Sequence, residues 1–120
     1  MVFKRALSVA VVAALAAPAL AAEDVEGRWL RPNGDVVVAA VADGKLACHI
    51  DTGSRPGFEM CHGMVRQGDA WTGSGMKHPE MPGFMTFNGT VVVFGDELKI
   101  KGCAIGQAFC DSETWTRAPQ

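Results

Sequence analysis

The methionines and histidines of this chain are concentrated in two short segments. Five of the six methionines lie within residues 60–64 and 76–85, and each segment also carries a histidine. Thioether sulfur and imidazole nitrogen are ligand types that suit Cu(I). One hypothesis is therefore a Cu(I) site made by Met76, His78, Met81 and Met85. Methionine also fills irregular apolar gaps, so the interpretation we favour is that these side chains plug a barrel end or line a ligand cavity.

Four cysteines offer a second kind of chemistry, and they allow three pairings. We favour Cys48–Cys61, which brackets a loop rich in Gly and Pro, and Cys103–Cys110, whose short span can double back through Gly106. Disulfides of this kind are typical of small exported domains. The chain has no Cys-x-x-Cys spacing, which argues against a redox-active thiol pair. We therefore interpret the cysteines as two structural bridges.

Three histidines, His49, His62 and His78, are the candidates for acid–base chemistry. Catalysis would require a partnered nucleophile or carboxylate, and neither Gly-x-Ser-x-Gly nor His-Glu-x-x-His occurs in the chain. We therefore expect neither enzymatic activity nor a cofactor.

Aromatic side chains supply the remaining candidates. Trp29, Trp71 and Trp115 are expected to lie in the core or at a barrel end, because large rings dominate small cores. In the alternative interpretation, Trp29 and Trp71 join Phe84 and Met85 as an apolar wall for a small ligand.

The N-terminal residues have the pattern of a secretion signal. Lys4 and Arg5 precede a short apolar run, and small residues around Ala21 predict cleavage after Ala21 or Ala22. We expect a signal peptide at 1–21 and a single domain at 22–120, periplasmic or secreted. The apolar run is shorter than the roughly 20 residues of a spanning helix, so we expect no transmembrane anchor after processing. The mature net charge of −4 argues against nucleic acid as a partner.

The elements that must position these residues are predicted to be short strands. Alternation of apolar and polar residues is clearest where Leu46, Cys48 and Ile50 share one face, and again at Leu98 and Ile100. Residues 51–63 and 73–83 are predicted to be loops, and Asn88-Gly89 is either a hairpin turn or a kink in one long strand. Seven or eight short strands favour a sandwich or a barrel. The predicted strands occupy residues 26–30, 35–41, 45–50, 64–66, 70–72, 84–94, 97–101 and 114–117.

Several landmarks in this order resemble domain of unknown function 2147, a family of small exported bacterial proteins. They are Glu-Gly-Arg-Trp at 26–29, Leu-Ala-Cys at 46–48, Trp-Thr-Gly at 71–73, Phe-Asn-Gly at 87–89, Gly-Cys at 102–103, Cys110 and Trp-Thr-Arg at 115–117. The resemblance implies an all-β, lipocalin-like antiparallel barrel and brings no established activity. The chain departs from the family pattern at 77–79, where Lys-His-Pro replaces the common Tyr-Asp-Pro.

Three functions are consistent with these features. The leading hypothesis is a periplasmic, non-enzymatic binding module that holds a small apolar or amphipathic ligand in the mouth of the barrel. The first alternative is a periplasmic Cu(I)-binding protein that uses the loop 76–85. The second alternative is an envelope structural or interaction protein whose outer surface is functional.

Overall fold

The computed structural model describes residues 24–104 and 108–119, and these form a closed barrel of eight antiparallel strands. Each strand pairs with the next along the chain, and β1 closes the barrel by pairing with β8. This confirms the predicted small, all-β antiparallel barrel. The strands are β1 Gly27–Leu30, β2 Val36–Ala42, β3 Lys45–Thr52, β4 Glu59–Gln67, β5 Ala70–Met76, β6 Phe87–Phe94, β7 Glu97–Ala104 and β8 Phe109–Arg117.

The predicted signal peptide at 1–21, with its cleavage site, lies outside the described residues. Within residues 24–104 and 108–119, no helix is long and apolar enough to cross a membrane.

The core fills the barrel with side chains from alternate positions along each strand. Leu46, Cys48 and Ile50 of β3 are each at most 1% exposed, as the alternation predicts. Leu98 and Ile100 of β7 are buried as well, whereas the lysines beside them face solvent. A strand with one face on the core needs this period of two, which is why the pattern was readable from sequence.

The two ends of the barrel differ in how the strands are connected. Tight turns at 43–44, 68–69 and 95–96 join strands at one end, which we call the closed end. Gly44, Gly68 and Gly95 have positive φ there, a conformation that other residues rarely adopt. The segments 31–35, 53–58 and 77–86 connect strands at the opposite end, which we call the loop end.

A buried tryptophan lies beside the last residue of β8, near the closed end of the barrel. The Trp29 indole N–H donates to the carbonyl of Val25 at 2.9 Å, and both residues are almost fully buried. The Arg117 guanidinium lies 4.0 Å from the centre of the Trp29 ring and donates to the Glu26 carbonyl. The chain segment before β1 is thereby fastened to the last residue of β8.

Two predicted loops turned out to be partly strand. β4 begins at Glu59, within the predicted loop 51–63, and β5 continues to Met76, within the predicted loop 73–83. β6 begins at Phe87 and runs through Asn88 and Gly89, so no hairpin turn forms there. Pairing to strands on both sides overrides the weak strand preference of these Gly-containing segments. β8 also starts earlier than predicted, at Phe109.

Both predicted disulfides are present, and no cysteine is free. Cys48–Cys61 joins β3 to β4 inside the core, with Cα atoms 4.8 Å apart. Cys103–Cys110 joins β7 to β8 at the loop end, with Cα atoms 4.0 Å apart. The reversal predicted at Gly106 lies outside the described residues.

Candidate functional site

A cavity of about 510 Å³ opens at the loop end of the barrel. Inward-facing side chains of β6, β7 and β8 form part of its wall, and the segment 77–86 crosses its mouth. Small residues on β7, Gly102 and Ala104, leave space that larger side chains would occupy. The larger apolar side chains of the wall are those of Met60, Met76, Met81, Met85, Phe87, Ile100 and Phe109.

The four methionines of the cavity lie at different depths. Met60 and Met76 are only 3% and 4% exposed and form the inner wall. Met85 is half-buried, and Met81 is 44% exposed at the rim. Methionine is unbranched and flexible, so a wall of this composition adapts to the shape of what it contacts.

The segment 77–86 is fastened to the barrel by backbone groups. The Lys77 amide donates to the carbonyl of Met60 on β4 at 2.9 Å, and the Arg55 guanidinium donates to the carbonyl of Pro79 at 2.7 Å. Two turns within the segment, closed by the amides of Met81 and Met85, hold the methionines over the mouth. Arg55 itself stacks on the ring of Phe58, which packs against the core.

Two exposed aromatic rings lie on the segments that border the cavity. Phe109 lines the cavity yet is 66% exposed, and Phe84, next to Met85, is 85% exposed. A molecule entering the cavity therefore meets apolar side chains before it reaches the buried methionines.

A buried cluster of charged side chains lies beside the cavity. The Arg31 guanidinium forms a two-point ion pair with Glu113, at 3.0 and 2.8 Å, and a third bond to Asp35 at 3.0 Å. Arg31 and Asp35 are each 4% exposed, and the Trp115 indole N–H also donates to Glu113 at 2.8 Å. We call Arg31, Asp35 and Glu113 the ion cluster; Glu113 is its one member that lines the cavity.

Asp35 fastens a neighbouring loop to the ion cluster. Its carboxylate accepts hydrogen bonds from the amide and hydroxyl of Ser54, at 3.0 and 2.8 Å, and from the side chain of Asn33. Gly53 lies so close that a Cβ there would overlap the Asp35 carboxylate, and its φ of 131° also favours glycine. The loop 53–58 is therefore held against the turn between β1 and β2.

The pKa values of the ion cluster favour its charged form. Burial alone would raise the pKa of Glu113, but hydrogen bonds from Arg31 and Trp115 bring it below its ordinary value. Burial likewise opposes the ionisation of Asp35, and the bonds from Ser54 and Asn33 outweigh it, so the pKa of Asp35 is also lowered. The hydrogen bond to Glu113 raises the pKa of Arg31. At neutral pH the cluster therefore holds two negative charges and one positive charge.

His78 places an imidazole ring between the mouth and the ion cluster. Its Nδ1 accepts a hydrogen bond from the Glu80 amide at 3.1 Å, so the proton of the neutral ring lies on Nε2. Nε2 faces Glu113 at 3.6 Å, which is too long for a hydrogen bond. The half-buried ring therefore presents an N–H towards the polar side of the cavity.

The structure brings together one of the two predicted residue sets. Met76, His78, Met81 and Met85, the candidate copper ligands, all line the cavity. Within the described part of the chain, no group of three or more His, Cys, Asp or Glu side chains is arranged to hold a metal ion.

The predicted aromatic wall is not assembled around the cavity. Of its four members only Met85 lines the cavity, because Trp29 lies near the closed end, Trp71 is buried elsewhere in the core and Phe84 points to solvent at the rim. Sequence reasoning missed the ion cluster, whose ion pair joins positions 82 residues apart. The only local signal was the pair Arg31 and Asp35 flanking the turn 32–34.

Comparison of the chain with models of known protein families, with curated proteins and with solved structures finds no match. The resemblance to domain of unknown function 2147 therefore stays a prediction, and the function has to be argued from the cavity itself.

Proposed function

We propose that this protein is an exported, non-enzymatic binding protein that holds one small apolar or amphipathic molecule in the loop-end cavity. The observation that carries the proposal is a cavity of about 510 Å³ whose wall is mainly thioether, aromatic and aliphatic. Pockets for small molecules typically enclose about 300–1,000 Å³ and combine such walls with a few polar groups. The two disulfides support export to an oxidising compartment such as the periplasm.

The polar side of the cavity favours a ligand with one polar but uncharged end. Glu113 already accepts two bonds from Arg31 and one from Trp115, so it does not need a cationic ligand group. A free carboxylate on the ligand would meet the net negative charge of the ion cluster. A hydroxyl or carbonyl oxygen can instead accept the Nε2–H of His78 while the apolar body lies against the methionines.

Fluorescence titration with N-phenyl-1-naphthylamine, a neutral apolar probe, tests the proposal. The wild-type protein is expected to enhance the probe's emission with a saturable, one-to-one curve. Met85→Lys places a charge in the apolar wall and is expected to weaken binding by tenfold or more, because a charge without a partner is costly to bury. Val65→Lys is the matched control, since Val65 is 41% exposed and does not line the cavity.

Native mass spectrometry of the protein purified from the periplasm is an independent test. A mass that exceeds the oxidised chain by one small molecule supports the proposal. A bare oxidised chain, together with no saturable probe binding, rejects it.

Cu(I) binding is the second candidate, favoured by the presence of Met76, His78, Met81 and Met85 in one cavity. Metal binding by His78 would require a ring nitrogen to leave its present neighbour, the Glu80 amide or Glu113. Competition against a Cu(I) chelator tests this candidate. Loss of affinity in a His78→Ala, Met81→Ala double variant supports it, and unchanged affinity rejects it.

A further inference from the structure

Three neighbouring strands carry glycine at the same level of the barrel interior. Gly73 of β5 pairs with Gly89 of β6, and Gly89 pairs with Gly102 of β7. Their neighbours two positions away along the strands, such as Val91 and Ile100, are buried core residues, so the glycines face inward. We call Gly73, Gly89 and Gly102 the glycine shelf.

The glycine shelf reflects a need for space and not for an unusual backbone. None of the three glycines has a positive φ, so other residues could adopt the same backbone conformation. The three glycines differ in which atoms lie next to their Cα atoms inside the barrel. A Cβ on Gly89 would overlap the sulfur of Met76, and a Cβ on Gly73 would lie 3.0 Å from Cγ of Met64.

Gly102 is the open part of the shelf. A Cβ there would meet only Phe87, at 3.4 Å, which is an ordinary van der Waals contact. Gly102 and Met76 both line the cavity, whereas Met64 and Gly89 do not. The side chain of Met76 therefore occupies the space between the cavity and the shelf at Gly89.

We propose that Met76 is a movable wall that sets how long an apolar ligand the cavity accepts. In the present conformation its thioether lies over Gly89 and closes the cavity on that side. Rotation about its unbranched side chain uncovers the shelf and lengthens the cavity by about three heavy atoms, the number that methionine has beyond Cβ. This inference rests on the proposed function and adds the ligand class: molecules with an unbranched apolar chain of variable length.

The experiment is displacement of N-phenyl-1-naphthylamine by the straight-chain alcohols from n-octanol to n-hexadecanol. Each methylene that the cavity buries should tighten binding by about fourfold. Met76→Ile keeps an apolar side chain of similar size but makes it stiff next to the backbone. We expect the increase in affinity with each added methylene to end at a chain about three carbons shorter in Met76→Ile than in the wild type. Met64→Ile, the same change on the same shelf but away from the cavity, should leave the length dependence unchanged.

A second pair of variants keeps the proposal testable if Met76→Ile folds poorly. Gly89→Ala adds a methyl group where the Met76 sulfur lies. It should therefore fill the space that rotation of Met76 uncovers and weaken binding of the longest alcohols by tenfold or more. In a Met76→Ala background the same change should have little effect on their binding.

The outcomes separate the two proposals. The movable wall is overturned if affinity depends on chain length in the same way in the wild type and Met76→Ile, or if Gly89→Ala has an equal effect in both backgrounds. If the wild type still binds the probe in either case, the proposed function is unaffected. Failure of the wild type to bind the probe, together with a bare oxidised chain in native mass spectrometry, overturns both.

Discussion

Replacement of Glu113 by Gln is expected to destabilise the barrel strongly, although the two side chains have nearly the same shape. The substitution removes the negative charge that faces two nitrogens of Arg31, whose side chain is 3% exposed. The amide of Gln can accept from one of these nitrogens but directs an NH₂ group at the other. Arg31 then keeps Asp35 as its only carboxylate.

The size of the effect follows from the burial of Arg31. Removing one partner of a buried ion pair costs about 3–5 kcal/mol, because the other charge stays buried without full compensation. The remaining bond to Asp35 places the expected loss at the lower end, about 3 kcal/mol. For a domain of this size that corresponds to a fall in Tm of about 15 °C.

Urea unfolding at pH 7 with the disulfides intact, followed by tryptophan fluorescence and circular dichroism, measures the loss. Glu97→Gln is the matched control, because Glu97 is an exposed residue of β7, the strand next to β8. It should leave the midpoint unchanged. A loss below about 1 kcal/mol for Glu113→Gln, near the value of one ordinary hydrogen bond, would refute the view that the ion cluster holds the loop end together.

Three further measurements test other parts of the structure. The stability that the two carboxylates of the ion cluster contribute should be fully present above about pH 4, where carboxylates of the unfolded chain are ionised. It should be lost at lower pH, because the pKa values of Asp35 and Glu113 are lowered in the folded protein. A urea midpoint that does not change from pH 5 to pH 2 would contradict this. Replacing both cysteines of Cys48–Cys61 by Ala should lower the free energy of unfolding by about 3 kcal/mol, and the same change at Cys103–Cys110 should lower it by about 2 kcal/mol. The difference follows from the separations of 13 and 7 residues, because a longer loop gains more chain entropy when its bridge is removed. The reverse order of urea midpoints would count against this argument. Trp29→Phe should lower the free energy of unfolding by about 2 kcal/mol, since it leaves the buried Val25 carbonyl without its donor. An unchanged urea midpoint would show that the indole N–H does not secure the closed end.

The sequence contained enough local information to predict the strands and the disulfides. Alternation along β3 and β7 identified the buried faces, because a strand with one wet face repeats every two residues. Cysteine separation identified both bridges, because the short spans close compact loops. The three methionines of 76–85 were predicted to lie together because they lie on one segment, and all three line one cavity.

The parts that depend on register could not be predicted. The glycine shelf exists only because Gly73, Gly89 and Gly102 meet across three strands, and a shift of one residue would turn each glycine to the opposite face. The same reasoning explains why the ion pair between Arg31 and Glu113 was missed. Its two members become neighbours only when β1 closes on β8, a pairing that no local pattern predicts.

The ion cluster explains how the barrel can keep an open cavity at one end. A cavity deprives the surrounding loops of the apolar contacts that would otherwise hold them in place. Here Arg31 connects the turn between β1 and β2 to β8 through Glu113, and Asp35 connects the same turn to the loop 53–58 through Ser54. Charged hydrogen bonds thus secure the rim while the cavity beside it stays open. Glu113→Gln should therefore reduce probe affinity as well as stability, because a rim that is no longer fastened cannot hold the methionine wall in position.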